Sequence, residues 1–230
     1  MESVSTSWND LSEWWIKEIA DDRSYEDVVT PLLLEVLEIE PGSIYLDLGC
    51  GDGRVMRTVG EHHGRTIGVE LSPGLAVHAA KVSPTVIGRL PDLAFLQSDG
   101  VDAAYCALVL EHIPDLGVFF QSLARVVKPA GTFSLVINHP IWTAPGSTPV
   151  TDDTDGEVFW RSGDYFGNGY TDERAGNSTI RFHHRSMAEL VNAAADAGWY
   201  LEMMVERPHH EIVDQAGIPR LLACRWRLVP

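Results

Sequence analysis

The stretch that most constrains this chain is Ile44-Tyr45-Leu46-Asp47-Leu48-Gly49-Cys50-Gly51-Asp52-Gly53-Arg54. A short apolar run ends in a glycine turn, and the turn opens directly into a helical pattern from Arg54 to His62. Strand, glycine turn and helix in that order begin a nucleotide-type βαβ unit. Glycines let the backbone turn tightly and approach a ligand, because they carry no Cβ. The helix start then offers N–H groups that have no partner inside the helix. The dinucleotide fingerprint spaces its glycines G-x-G-x-x-G and seats a pyrophosphate on the helix dipole. Here the spacing is G-x-G-x-G, with Asp47 just before it and Asp52 inside it. Two carboxylates repel a pyrophosphate and suit a ligand that carries an ammonium group.

The rest of the chain reads as a frame for that turn. Residues 1–40 are expected to be helical: Trp8, Leu11, Trp14, Trp15 and Ile19 recur at helical spacing, and so do Tyr25, Val28, Val29, Leu32, Leu33, Val36 and Leu37. Pro31 either opens a new helix or kinks one. A tryptophan-rich helix is either core packing or a lid whose ring faces attract a cation. Strand one is expected over 43–48, a helix over 54–63 and strand two over 66–71. Glu70 lies roughly 20 residues past the turn, where such folds set a carboxylate on ribose hydroxyls. Ser72-Pro73 caps and opens the next helix. Strand three is expected over 85–90. Residues 101–110 form a near-continuous apolar run, as a buried parallel strand does, followed by Glu111-His112-Ile113-Pro114-Asp115. A helix over 115–127, a turn at Lys128-Pro129-Ala130-Gly131 and strand five over 132–137 complete the alternation. Strands alternating with helices imply an α/β fold, a parallel sheet covered on both faces.

Residues 138–177 break the rhythm with Gly, Pro, Asp, Thr and aromatic residues and little periodicity. A long irregular insertion in a compact domain reads as a binding loop or lid, here with a strand at 178–184. Ser186 then caps a helix with Glu189 in the capping-box position, and strands at 200–207 and 221–228 finish the chain. We expect one domain over 1–230, made of an N-terminal helical segment (1–40), a cofactor-binding core (41–137), a cap insertion (138–184) and a C-terminal helix with strands (185–230).

Composition excludes several classes of partner. The net charge of −16 argues against nucleic acid or an anionic membrane as the main partner. Cys50, Cys106 and Cys224 are scattered with no CxxC, which disfavours a disulfide framework or a zinc site and fits a reducing, cytoplasmic setting. No ligand cluster with metal-like spacing appears, so no metal is expected. The first six residues have neither the basic start nor the apolar core of a signal peptide, and no membrane span is expected.

Four stretches together resemble the class I S-adenosylmethionine (SAM) dependent methyltransferases. Asp47 to Gly53 is similar to motif I of that family, Val69-Glu70-Leu71-Ser72 to the end of its strand two, Leu108-Val109-Leu110-Glu111-His112-Ile113 to the segment after strand four, and Arg125-Val126-Val127-Lys128-Pro129-Ala130-Gly131-Thr132 to the turn before strand five. The likeness is to small bacterial small-molecule methyltransferases. It implies a Rossmann-like, doubly wound sheet of about seven strands with the last strand antiparallel, an N-terminal helical lid and a cap inserted after strand five. It also implies SAM as cofactor, S-adenosylhomocysteine as product and a small-molecule methyl acceptor. By position, Asp47 and the backbone of Gly49, Cys50 and Gly51 would hold the methionine end. Glu70 would take the ribose, Leu71 would pack on adenine, and Leu108 would lie under the methionine portion near His112. The family commonly has an aspartate after strand three that accepts from adenine; Gly88-Arg89-Leu90 stands there, and arginine cannot accept a hydrogen bond. Asp92 or a backbone carbonyl would then serve, or Arg89 would stack on the ring, with Leu90 beside it.

SAM would supply an electrophilic methyl group, leaving the protein to orient the acceptor, exclude water and take a proton where the acceptor has one. His112, His139, His183 and His184 qualify by position as bases, with His139 and His112 the preferred pair. His183 and His184 alternate faces on one strand, so only one can point at a given site. Glu111 either lies at the site or orients a loop. Trp142, Tyr165 and Tyr170 in the insertion, with His183, are expected to line a pocket for a partly apolar acceptor. The rival readings are a SAM-binding protein that does not methylate, a methyltransferase acting on protein or RNA, and a nicotinamide-dependent oxidoreductase, which the glycine spacing disfavours.

Overall fold

The computed structural model describes residues 8–21, 23–176, 178–208 and 217–230, with backbone only at 9 and 18–21. Residues 1–7 and the side chain of Ile19 therefore lie outside the described part. The centre is a seven-stranded sheet in the order β10-β11-β5-β4-β1-β2-β3. Its strands are β1 (Ile44–Leu48), β2 (Arg65–Glu70), β3 (Thr85–Ile87), β4 (Val101–Ala107), β5 (Val127–Asn138), β10 (Trp199–Pro208) and β11 (Pro219–Leu228). β1, β2, β3, β4 and β5 pair in parallel, while β11 is antiparallel to both of its neighbours. The expected Rossmann-like sheet with an inverted last strand is therefore present.

Side-chain alternation along the central strands feeds two separate layers. Leu46, Leu48, Ala104 and Cys106 point to a core closed by α5 (Leu116–Val126) and α7 (Met187–Asp196), with Phe119, Phe120, Leu190 and Trp226. Tyr45, Ala103 and Tyr105 point to the opposite core, closed by α2 (Thr30–Val36) and α3 (Arg54–Glu61) through Leu32, Leu33, Val55 and Val59. Burial on both faces explains the unbroken apolar run of β4. α7 starts at a complete capping box, Ser186 with Glu189, as the sequence indicated. α4 (Pro73–Ala79) is capped by the Ser72 side chain, which accepts from Leu75 N–H, with Pro73 at its start.

At the N-terminus, α1 (Trp8–Asp21) is followed by a π-helical stretch, Tyr25–Val29, that runs into α2 with Pro31 near its start. Pro31 thus lies inside one continuous helical run, directly after its π-helical turn. β3 is shorter than the expected 85–90, because Gly88 to Leu90 leave the sheet. Lys128 to Gly131 loop out of β5: Val127 pairs with Val101 and Thr132 already pairs with Ala103. The expected turn is thus a bulge inside one long strand, pinned by the Lys128–Asp102 ion pair and by Asp102 accepting from Ile44 N–H.

The insertion is more regular than its sequence. After the single turn α6 (Pro140–Thr143) come two antiparallel hairpins, β6 (Thr148–Thr151) with β7 (Val158–Arg161), and β8 (Gly169–Ala175) with β9 (Ser178–His184). Only β9 was legible in the sequence. β6 and β8 are mostly solvent-exposed, so they lack the apolar alternation that reveals a half-buried strand. Among the described residues, no helix is long and apolar enough to cross a membrane.

Candidate functional site

A cavity of about 610 Å³ opens at the carboxyl ends of β1, β2 and β4, where the strand order reverses. Open α/β sheets bind ligands at this position. The glycine turn forms its floor. Gly49 has φ +77°, and a Cβ there would lie 2.6 Å from the Val109 side chain. Gly51 has φ +56°, and a Cβ there would meet no atom within 4 Å, so it would project into open space. One glycine is needed for packing and the other for ligand access. Leu108, at the end of β4, holds φ +54° although it is not glycine, and its N–H donates to Val136 O at 2.8 Å. A leucine in the left-handed region is the kind of local strain that persists at functional sites.

Two buried carboxyls face this end. Glu70 Oε2 accepts from Gly51 N–H at 2.9 Å and Oε1 from Ser72 N–H at 2.7 Å. Burial raises its pKa, and those N–H groups oppose the rise. Asp47 is 3% exposed, and its sealed Oδ2 and the neighbouring Tyr105 hydroxyl both lack a well-formed hydrogen bond among the described residues. Burial pushes its carboxyl up to about 8; the Tyr105 hydroxyl alongside opposes this, and Glu70 and Asp52 add to it. Asp47 lines the cavity, and a carboxyl on its wall suits a cation or a hydrogen-bond donor. Asp52, by contrast, is spent on the Arg54 side chain at 3.1 Å.

The structure brings Asp47, Gly49, Cys50, Gly51, Glu70 and Leu71 to one cavity with Arg89, Leu90 and Leu108. Asp92 does not line it; its side chain accepts from Ala94 N–H at 2.9 Å. His112 and His183 line the same cavity, while His139, Trp142, Tyr165 and Tyr170 do not.

The histidines differ in what holds them. His112 Nδ1 lies 2.8 Å from Arg181 O, and a carbonyl can only accept, so Nδ1 carries the hydrogen and Nε2 is left as the acceptor. Trp8 and Phe182 flank the ring, with centroids at 5.0 and 4.8 Å. In His139, Nδ1 accepts from Ile141 N–H and Nε2 bonds Glu206 at 2.8 Å, so both nitrogens are committed to capping α6 and tying it to β10. The ring is 5% exposed, and burial lowers its pKa against the pull of Glu206. His184 is equally committed, to Thr143 and to Tyr165 O. His183 is kept towards its neutral form by burial and then by Arg185, Arg181 and His112.

The insertion's aromatic residues mostly hold the insertion itself. Trp142 stacks on Trp160 with centroids 4.0 Å apart. The Tyr165 hydroxyl accepts from Met187 N–H, and Tyr170 is 52% exposed beneath the Arg181 guanidinium. The cavity instead takes its rings from Trp8 and Trp15 of α1, Tyr25 and Phe182. Sequence reasoning missed Asn138, Arg181 and Arg220, which also line it. Among the described residues, no three His, Cys, Asp or Glu side chains gather as a metal site would require.

Comparison with known proteins agrees with this geometry. Residues 46–135 match the family described as the methyltransferase domain. Over that segment the chain is similar to methyltransferase domains, and its fold is the class I fold shared with SAM-dependent methyltransferases. Its fold is similar to that of an S-adenosylmethionine dependent methyltransferase from Listeria monocytogenes, with a TM-score of 0.77 and 22% identity over 86% of this chain and 96% of that one. A second such protein, from Mesorhizobium loti, gives a TM-score of 0.76 and 24% identity over 91% and 99% of the two chains. The sequence is 31% identical to a ubiquinone biosynthesis O-methyltransferase of Xanthomonas campestris over 102 residues, 41% of this chain and 43% of that one. The chain spans less than half the length of the first curated relatives it matches. The matched segment ends within β5, so the insertion and Arg220 lie beyond it.

Proposed function

We propose that this protein transfers a methyl group from SAM to a nucleophilic atom of a small molecule, with His112 as the base. The observation that carries the reading is the pairing, in one cavity, of a cofactor floor with a histidine whose acceptor nitrogen has no partner among the described residues. The residues present fit the cofactor. The carboxyl of Asp47 on the cavity wall suits the ammonium group, and the two oxygens of Glu70, held by Gly51 and Ser72 N–H groups, suit a ribose diol. Gly51 leaves the room that a bound ligand needs. Gly88, Arg89 and Leu90 would border the adenine, with backbone groups in place of the missing aspartate.

When bound, SAM supplies a methyl group made electrophilic by its sulfonium. The chain's own residues then orient the acceptor and manage its proton. His112 Nε2 accepts that proton; Arg181 O, bonded to Nδ1–H, fixes the tautomer and favours the imidazolium that results. Trp8, Trp15 and Phe182 wall off water and offer aromatic faces on which a cationic centre is stabilised. The three cysteines are all free and buried, consistent with a reducing, cytoplasmic setting. A relative named as an O-methyltransferase favours an oxygen nucleophile.

The test uses SAM carrying a tritiated methyl group, incubated with the protein and a bacterial lysate from which the chain has been deleted. We expect label in the small-molecule fraction. Label confined to protein or RNA would instead assign a macromolecular acceptor, and no transfer with intact binding would leave a SAM-binding protein.

A further inference from the structure

Besides the groups assigned above to the cofactor, the cavity wall holds the Arg220 guanidinium. Arg220 stands at the start of β11, where Leu221 pairs with Asn138 at the carboxyl end of β5. Its Nη1 donates to Asn138 Oδ1, and the Asn138 amide in turn donates to Glu111 Oε1 at 2.7 Å. Asn138 is thereby fixed between the buried Glu111 and the half-buried Arg220, and it aims the guanidinium. One face of that guanidinium lies over Trp142, 4.7 Å from the ring centroid. The Nε and Nη2 donors have no partner among the described residues, and no described carboxylate forms an ion pair with Arg220. Glu111 and Glu173 are close enough to favour the charge without pairing with it, and burial works against it.

A half-buried guanidinium with one stacked face, and one edge that has no partner among the described residues, is laid out for a planar oxyanion, which it binds through two parallel N–H donors. Its companions on the cavity wall include Phe182, Trp8 and Trp15, which suit an apolar body. We propose that the methyl acceptor carries a carboxylate-type oxyanion bound by the Nε and Nη2 edge of Arg220, with an apolar body against these rings. This inference rests on the methyltransferase reading of the cavity.

The experiment follows para-fluorobenzoate, para-fluorobenzamide and para-fluorophenyl phosphate by fluorine NMR on protein saturated with S-adenosylhomocysteine. We expect saturable binding of the benzoate, about tenfold or more tighter than the uncharged benzamide, since a desolvated charged hydrogen bond is lost in the amide. R220Q should abolish that preference, and R220K, which keeps the charge but loses the fork, should retain part of it. Tighter binding of the phosphate ester than of the benzoate would keep the oxyanion site and assign it to phosphate. Equal binding of benzoate and benzamide, an unchanged preference in R220Q, or no binding of any probe would overturn the proposal. The benzoate–benzamide contrast is read on unmutated protein, so it survives any folding defect of the variants. Calorimetry with S-adenosylhomocysteine is run beside it. Failure there sinks the cofactor reading, while the probe contrast is then read on the free protein.

Discussion

The two ends of the cavity are built by different means. The cofactor end is made largely of backbone: three glycines with positive φ, N–H groups of Gly51 and Ser72, and two carboxyls at strand ends. The acceptor end is made of side chains from α1, β9, β11 and the turn after β4, brought together only by the tertiary fold. A backbone site tolerates little variation and leaves a short local signature. A side-chain site can change its ligand without changing the fold. The same contrast separates the two preferred histidines: His112 has one ring nitrogen without a partner among the described residues, whereas His139 spends both.

The largest expected effect breaks the acceptor end. His112→Ala should lower the rate of methyl transfer by about 10²–10⁴. His139→Ala should instead cost about 1 kcal/mol of stability through the lost cap, with transfer retained. Equal losses of rate would merge the two histidines into one role. At the cofactor end, Gly51→Val should weaken S-adenosylhomocysteine by on the order of 100-fold or more, because its side chain occupies the ligand's space and strains a left-handed backbone. Retained affinity would mean that the ligand lies elsewhere. Glu70→Gln should cost on the order of 1.5–3 kcal/mol of binding, read by calorimetry, as charged hydrogen bonds are lost.

The smallest effect sharpens the account of Asp47. Its carboxyl is held up to about 8 in the free fold against an ordinary 3.8, so the stability it contributes is complete below 3.8 and fades as pH rises towards about 8. An ammonium placed beside it favours the ionised form. Binding of S-adenosylhomocysteine near neutral pH should therefore release a proton, seen as a binding enthalpy that varies with the ionisation enthalpy of the buffer. Asp47→Asn should remove that dependence. A buffer-independent enthalpy in the unmutated protein would contradict the placement of the ammonium.

What the sequence disclosed follows the same division. The glycine turn, the cap of α4, the capping box of α7 and the buried run of β4 are local patterns, and each was readable where it stands. The inverted last strand came with the family resemblance. β6, β7 and β8 were missed, because exposed hairpin strands have no apolar period to display. The histidine roles were not legible, since the partners that decide them lie 69 residues away for His112 and 67 for His139. Arg220 is set by Asn138, 82 residues distant, and no local signal marks it. Leu108 offered no sign of its left-handed backbone, which it adopts where the chain leaves β4. The aromatic residues of the insertion drew attention by composition alone, and they pack against each other, against Arg181 and against Arg220.

The most direct test of the central claim is calorimetric titration of the purified protein with S-adenosylhomocysteine, with NAD as the control. The account predicts a dissociation constant of about micromolar or tighter for the first, with no heat of binding for NAD. Binding of NAD alone, or of neither, would contradict the assignment of this cavity to SAM.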